Sequence, residues 1–390
     1  MLYFDYSATT PMSETALKAY IHAARHYYGN SQSLHHDGEE ADNVLQLCRN
    51  SLMQLLNVPH HSIYFTGSGS EANFLTIVSI ALASIHKGKH IIYLETEHHS
   101  VKQALHYLKR FGFTSTAIPL NSVGKVVKSQ LEKSIKHDTS MAIIGHASSE
   151  LGTIQDLGHL SWLLKKHDIL LVSDCVQSFG KTEIPFESLD AFTLSSHKIY
   201  GPKGLGVAIL RNTVQWQPFL TGTSHEFGFR AGTVDIPAIV AFTEAAEEIT
   251  ANQVKEEKRL KQLQALLISL VLTQDKLFVL EGDRLNRLPF HIALRRIGME
   301  GQLLMLECKR KGIAISTSSA CRAHFSEPPA SLLAIGRSIT EAHEFIRITF
   351  GQQTTEEDIH TLSQALLEIS ATYKEDLHGE IKEIVGRRTP

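Results

Sequence analysis

The sequence predicts an α/β fold built on a mostly parallel sheet covered by helices. Three observations lead there. From about Ala16 to Glu247 helical stretches alternate with short apolar runs rich in β-branched residues. Each run stops at polar, small or titratable residues, and a long helical stretch then separates this part from a region of mixed helix and strand. With 390 residues the chain exceeds one ordinary core and suffices for two domains of typical size.

Taken in order, the strand candidates are Ser62 to Phe65, His90 to Leu94, Met141 to His146, Ile169 to Ser173, Ala191 to Leu194 and Gly206 to Leu210. The uncharged run from Phe74 to Ile85 is about half of the roughly 20 residues a membrane-spanning helix requires, so it reads as a buried helix. Ala238 to Gln274 is a long helix whose charge-dense middle, EEITANQVKEEKRLKQ, suits a solvated bridge between two domains. Ile346 to Phe350 alternates as a strand does, placing Arg347 and Thr349 on one face and Ile346, Ile348 and Phe350 toward a core.

Composition narrows the function. A formal charge of -3 and an ordinary 20% of charged residues leave no electrostatic footprint for nucleic acid or for an anionic membrane. The opening MLYFDYSATTP lacks a basic segment followed by an apolar one, which points to the cytosol. Four cysteines without CxxC spacing, and histidine pairs without HExxH spacing, predict neither a disulfide framework nor a metal centre.

In open α/β sheets ligands bind beyond the carboxyl ends of the strands. Those ends carry Gly67-Ser68-Gly69-Ser70, His98, Ser149, Asp174 and Ser195-Ser196-His197-Lys198. The glycine-serine turn joins a strand to an apolar helix, so backbone N–H groups near Gly69 and the Ser70 hydroxyl suit a phosphate, although a serine-capped turn has the same composition. Lys198 lies just past a buried strand, where an ammonium needs a task; a Schiff-base amine has one, with Lys203 as the rival. Asp174 ends a strand buried on both faces and needs a cationic partner, such as a protonated pyridine nitrogen. Gln177 is placed to reach a phenolate oxygen, and His98 to stack on a ring.

Cys321 sits in Ser316-Thr317-Ser318-Ser319-Ala320-Cys321-Arg322-Ala323-His324, a stretch of loop composition whose Arg322 and His324 favour a thiolate. Cys48 and Cys308 lie at helical apolar positions and read as inert core. Cys175 adjoins Asp174 and is the rival nucleophile.

DYSATTP, YGNS, TEH before Ser100, SSHKIYGPKG, FRAGT, SSAC and RITFGQQTT together resemble the landmarks of cysteine desulfurases of the iron–sulfur-assembly group, within the class V pyridoxal-phosphate-dependent aminotransferases. The resemblance implies fold type I: a mostly parallel seven-stranded sheet with helices on both faces, plus a smaller α+β C-terminal domain. Residues 15–252 would form the large cofactor-binding domain, and 1–14 with 253–390 the small domain carrying the cysteine loop. It also implies a homodimer with pyridoxal 5'-phosphate at the subunit interface. Lys198 would hold the cofactor aldehyde, Asp174 the ring nitrogen, Gln177 the phenolate, and His98 would stack. Ser70, Ser195 and His197 would bind phosphate from one subunit and Thr233 from the other. Asn30 and Arg347 would hold the carboxylate of L-cysteine, and Cys321 would take its sulfur and pass it to a protein acceptor such as an iron–sulfur scaffold, a tRNA-thiolating enzyme or a dedicated iron–sulfur enzyme.

Three positions depart from the family pattern: Ser149 stands for asparagine, Ser31 for proline and Ser318 for glycine. The tail beyond Leu377 does not resemble the family's usual scaffold-contacting end. A selenocysteine lyase, an aminotransferase of the same fold, or a non-catalytic protein that binds a sulfur carrier are the alternatives.

Overall fold

The computed structural model describes residues 1–317 and 327–386, with side chains to residue 373. Cys321, Arg322, His324 and Ser318 therefore lie outside the described residues. Among the described residues there are twelve strands, in order β1 (Leu2–Tyr3), β2 (His61–Thr66), β3 (His90–Leu94), β4 (Thr114–Ile118), β5 (Thr139–Ile143), β6 (Leu170–Asp174), β7 (Ala191–Ser195), β8 (Gly206–Arg211), β9 (Phe278–Leu280), β10 (His291–Arg296), β11 (Ile313–Ala314) and β12 (Phe345–Thr349).

Seven of them form one sheet in the order β2-β8-β7-β6-β5-β3-β4. Every pairing from β7 to β4 is parallel, and β8 alone runs against its neighbours. The six expected strands all occur, His90–Leu94 with both ends as expected and the others with at least one end shifted by one to three residues. β5 starts two residues early, at Thr139, and its ladder closes at Ile143; single bonds from Ile144 N to Val172 O and from His146 N to Asp174 O carry the chain on beside β6. The strand that sequence pattern misses is β4, at the sheet edge, whose TSTAI is mostly only half-buried and so shows no apolar run.

Helix Gly69–Ala83 is buried nearly all round after its first turn, as the uncharged run from Phe74 requires. Its start packs so closely on β7 that a Cβ at Gly69 would stand 2.9 Å from the Ser195 Cβ. Glycine is therefore needed at that position for space rather than for backbone freedom.

Helix Ile236–Gln274 runs 39 residues, starts at an Asp235 cap, and serves two cores. Ile236 to Ile249 pack with the large sheet, Leu260 to Val271 with the antiparallel sheet β12-β10-β9, and no residue between Ile249 and Leu260 is buried. The solvated middle agrees with the charge pattern. Among the described residues no helix is long and apolar enough to cross a membrane.

The N-terminal thread joins the two parts. β1 pairs in parallel with β11, Phe4 packs in the core under β10 and β12, and Asp5 bridges to Thr349. Further on, Thr10 N and Oγ1 donate to His197 O, and Tyr200 N donates to Thr10 Oγ1. The segment thus spans from the second core to the lysine turn.

Candidate active site

β2, β3, β5, β6 and β7 all end on one edge of the large sheet, and their following residues enclose a cavity of about 280 Å³. Ten of the residues selected from sequence line it: Gly69, Ser70, His98, Ser149, Asp174, Gln177, Ser195, His197, Lys198 and Arg347. Parallel strands feeding helices place the short segments from Gly69 to Lys198 together, and Arg347 reaches the same cavity from β12 of the antiparallel sheet.

Asp174 closes β6 and is held by the Val176 N–H at 2.9 Å and by Asn73 Nδ2 at 2.7 Å. Asn73 is itself oriented, accepting from Thr193 Oγ1 at 2.5 Å and donating to Ser100 Oγ at 3.1 Å. Lys198, ending the short turn after β7, donates to Ser7 O at 2.6 Å and Ala8 O at 2.7 Å. Lys203 is exposed and stands away from the cavity wall. His98 caps the helix His99–Leu108 through Nδ1, which also lies 2.8 Å from Ser100 Oγ. Burial and the neighbouring lysines, Lys198 first among them, push His197 down to about 4, so its imidazole is neutral at physiological pH.

Arg347 is fully buried in β12, facing away from the core as the alternation predicts. Its Nη2 pairs with Asp5 Oδ1 at 2.7 Å and its Nη1 donates to Ser149 O at 3.1 Å. Ser149 therefore serves the wall through its backbone carbonyl, which also lies 3.1 Å from His291 Nε2. The backbone of Arg347 is paired in both directions with Ser316, five residues before Cys321. Breaking the buried ion pair leaves a guanidinium without its anion, so Asp5→Ala is expected to destabilise the protein by about 3 kcal/mol in denaturant titration. Asp5→Asn, which keeps a hydrogen-bond acceptor, should lose less.

Two selected residues are not brought to the cavity. Asn30 is exposed in a turn, where its Oδ1 accepts from Gln32 N, and Thr233 is exposed beyond Gly232. Just before Thr233 the backbone is left-handed at Glu226 (φ 46°) and Phe227 (φ 56°), held there by the buried Arg49–Glu226 ion pair at 3.0 Å. The rival thiol Cys175 is wholly buried, its Sγ 3.7 Å from Ser173 Oγ, and burial raises its pKa strongly. Cys48 and Cys308 are buried too, and burial pushes the Cys308 thiol up to about 12.

The model for aminotransferase class-V matches residues 2–362. The chain belongs to the class V aminotransferase family. Over 95% of its length this class V aminotransferase is 43% identical to a putative cysteine desulfurase NifS of Halalkalibacterium halodurans, covering 98% of that protein. It is 39% identical to a putative cysteine desulfurase NifS of Bacillus subtilis, covering 93% of each chain. Among solved structures it resembles a NifS-like protein with a TM-score of 0.88 at 28% identity, covering 95% of this chain and 99% of that one.

The family depends on pyridoxal phosphate, and the donor set of this class V aminotransferase fits that group. A carboxylate fixed by two donors stands at one side of the cavity, an amine is close by, and a helix start with Ser70 and a neutral imidazole suits a phosphate. Two buried oxygens beside the cavity, Gln177 Oε1 and Ser7 Oγ, have no hydrogen-bond partner among the described residues, as groups awaiting a polar ligand would. Sequence reasoning missed Asn73 and Glu97 of this wall and Asp5, which pairs with Arg347; only the TEH and DYSATTP words marked two of them.

Proposed function

We propose that the protein is a cysteine desulfurase, converting L-cysteine to L-alanine while an enzyme cysteine takes the sulfur. The observation carrying this reading is the cavity that gathers Lys198, Asp174, Gln177, His98 and Arg347, with the chain leading to Cys321 paired at Ser316 to the backbone of Arg347. The names of the NifS relatives support it over the same length of chain.

When bound, pyridoxal phosphate supplies an electron sink that acidifies the substrate α-carbon. Lys198 would hold the cofactor and is the amine that takes the α-proton. Asp174, kept in place by Asn73, would pair with the ring nitrogen; Gln177 would contact the phenolate, and His98 would stack. Gly69 N–H, Ser70, Ser195 and His197 would hold the phosphate. Arg347 would bind the substrate carboxylate, a task suited to its planar fork. The Cys321 thiolate attacks the substrate sulfur: an S–S bond forms, the C–S bond breaks, and the carbon keeps the electron pair and gains a proton, so that alanine leaves and Cys321 holds a persulfide.

We assign residues 15–252 to a cofactor domain and 1–14 with 253–390 to a small domain, and the working form to a cytoplasmic homodimer. In it the partner's Thr233, exposed in one chain, would complete the phosphate site, and Asn30 would join Arg347 in holding the substrate carboxylate. A protein acceptor would then receive the sulfur. Incubation with L-cysteine and a reductant should release sulfide and alanine in equal amounts. Without reductant, the peptide bearing Cys321 should gain the mass of one sulfur atom. Alanine without sulfide, or a gain on Cys175 instead, would overturn the assignment.

A further inference from the structure

His197 is fixed at both its backbone and its ring, and both ties come from two consecutive threonines of the N-terminal thread. Thr10 N and Oγ1 donate to His197 O at 2.9 and 3.1 Å. Thr9 Oγ1 stands 3.0 Å from His197 Nδ1, across 188 positions. The thread is itself held in place there, since Tyr3 Oη donates to Thr9 O at 3.1 Å and Tyr200 N donates to Thr10 Oγ1 at 2.8 Å. The only other acceptor near the Thr9 hydroxyl, Thr10 O, lies 3.5 Å away, beyond the ordinary range of such a bond. His197 Nδ1 is therefore its working partner.

The two ring nitrogens consequently differ in what they can do. His197 lines the main cavity and Thr9 does not. With Nδ1 engaged by a hydroxyl behind the cavity wall, Nε2 is the nitrogen left for a ligand, and among the described residues it makes no hydrogen bond. The last torsion of a histidine is broad, so an untied ring would present either edge to the cavity. A threonine hydroxyl both donates and accepts, so the tie holds whether or not Nδ1 carries a proton.

We propose that Thr9 is a positioning residue whose hydroxyl holds the His197 ring with Nε2 toward the cofactor phosphate. Resting on the cofactor reading above, this adds to the phosphate site a residue that never touches the phosphate. Thr9 acts only through the imidazole. Its effect therefore vanishes once the imidazole is gone, whereas a merely structural role in the thread would survive that change.

Titration of the full-length chain, freed of cofactor, with pyridoxine 5'-phosphate tests this, because that probe carries the phosphate but no aldehyde for Lys198. Pyridoxine, which lacks the phosphate, is the control and should bind all variants alike. His197→Ala should weaken the probe by about 10- to 100-fold, the scale of one hydrogen bond to a charged group. Thr9→Val, which keeps the shape and removes the hydroxyl, should weaken it about three- to tenfold as the ring samples its other orientations. Thr9→Ala should repeat that loss, and Thr9→Ser should restore binding to within about twofold of wild type, since it returns the hydroxyl. Added to His197→Ala, Thr9→Val should change affinity by less than about twofold, which closes a double-mutant cycle. The phosphorus NMR resonance of pyridoxal phosphate bound to the loaded enzyme gives a second readout: Thr9→Val should move it in wild type and leave it in place in His197→Ala. Equal weakening by Thr9→Val in both backgrounds, wild-type affinity in Thr9→Val, or a His197→Ala chain that binds the probe as wild type does overturns the inference. A wild type that binds neither pyridoxal phosphate nor the probe overturns the cofactor reading, and this inference with it.

Discussion

Lys198→Ala is expected to cut L-cysteine turnover by at least about 10⁴-fold, because one amine both retains the cofactor and serves as the base, and a positioned base alone contributes about 10²–10⁴-fold. The variant should also lose the visible absorbance that a lysine-linked cofactor gives the wild type. Lys203→Ala is the control: Lys203 is exposed and away from the cavity, so its replacement should leave both colour and rate nearly unchanged. A coloured, active Lys198→Ala, or a dead Lys203→Ala, would move the assignment to the second lysine. The variant should still fold, since Lys198 donates to the backbone carbonyls of Ser7 and Ala8 while Thr10 separately ties the thread to His197 O.

Cys321→Ala is expected to stop sulfide release by about 10³-fold or more, the scale on which loss of a covalent nucleophile acts. Cofactor absorbance should survive, because no cofactor contact is assigned to that thiol. The informative companion is Cys175→Ala. Its thiol is sealed among Ser173 and the core, and burial holds it protonated, so the substitution should leave turnover within about threefold. An aminotransferase of the same fold would keep its activity as Cys321→Ala, and a non-catalytic sulfur-carrier-binding protein would be colourless from the start. The pair of variants thus separates the three readings in one experiment.

Much of the cavity was legible because its chemistry lies at strand ends, where sequence changes abruptly. Asp174 after Leu-Leu-Val-Ser and Lys198 after a buried run are conflicts between residue type and place, and such conflicts mark sites. What stayed hidden is held by partners far apart in the chain. Asn73 reads as one polar residue in an apolar helix, and its role appears only with Asp174, 101 positions on. Asp5 meets Arg347 across 342 positions, a separation no local pattern records. Glu97 could be seen beside His98, but its hydrogen bond from Gly145 N, 48 positions on, could not. Asn30 and Thr233 show the opposite limit: family words selected them, and the chain by itself leaves both at the surface.

The N-terminal thread also dictates a timetable. Ser7 N donates to Thr349 Oγ1 at 3.0 Å, 342 positions later, while its carbonyl receives Lys198 Nζ. At about 5–20 residues per second, a ribosome makes Asp5 and Ser7 roughly 20 to 70 s before their last partners exist. In the later part of that interval, once Arg211 is made, every strand of the large sheet exists, yet the guanidinium that closes one side of the cavity has not been synthesised. Cofactor capture in working geometry therefore waits until β12 has been made, and a truncation that removes β12 should yield a chain with its lysine present and its site unfinished.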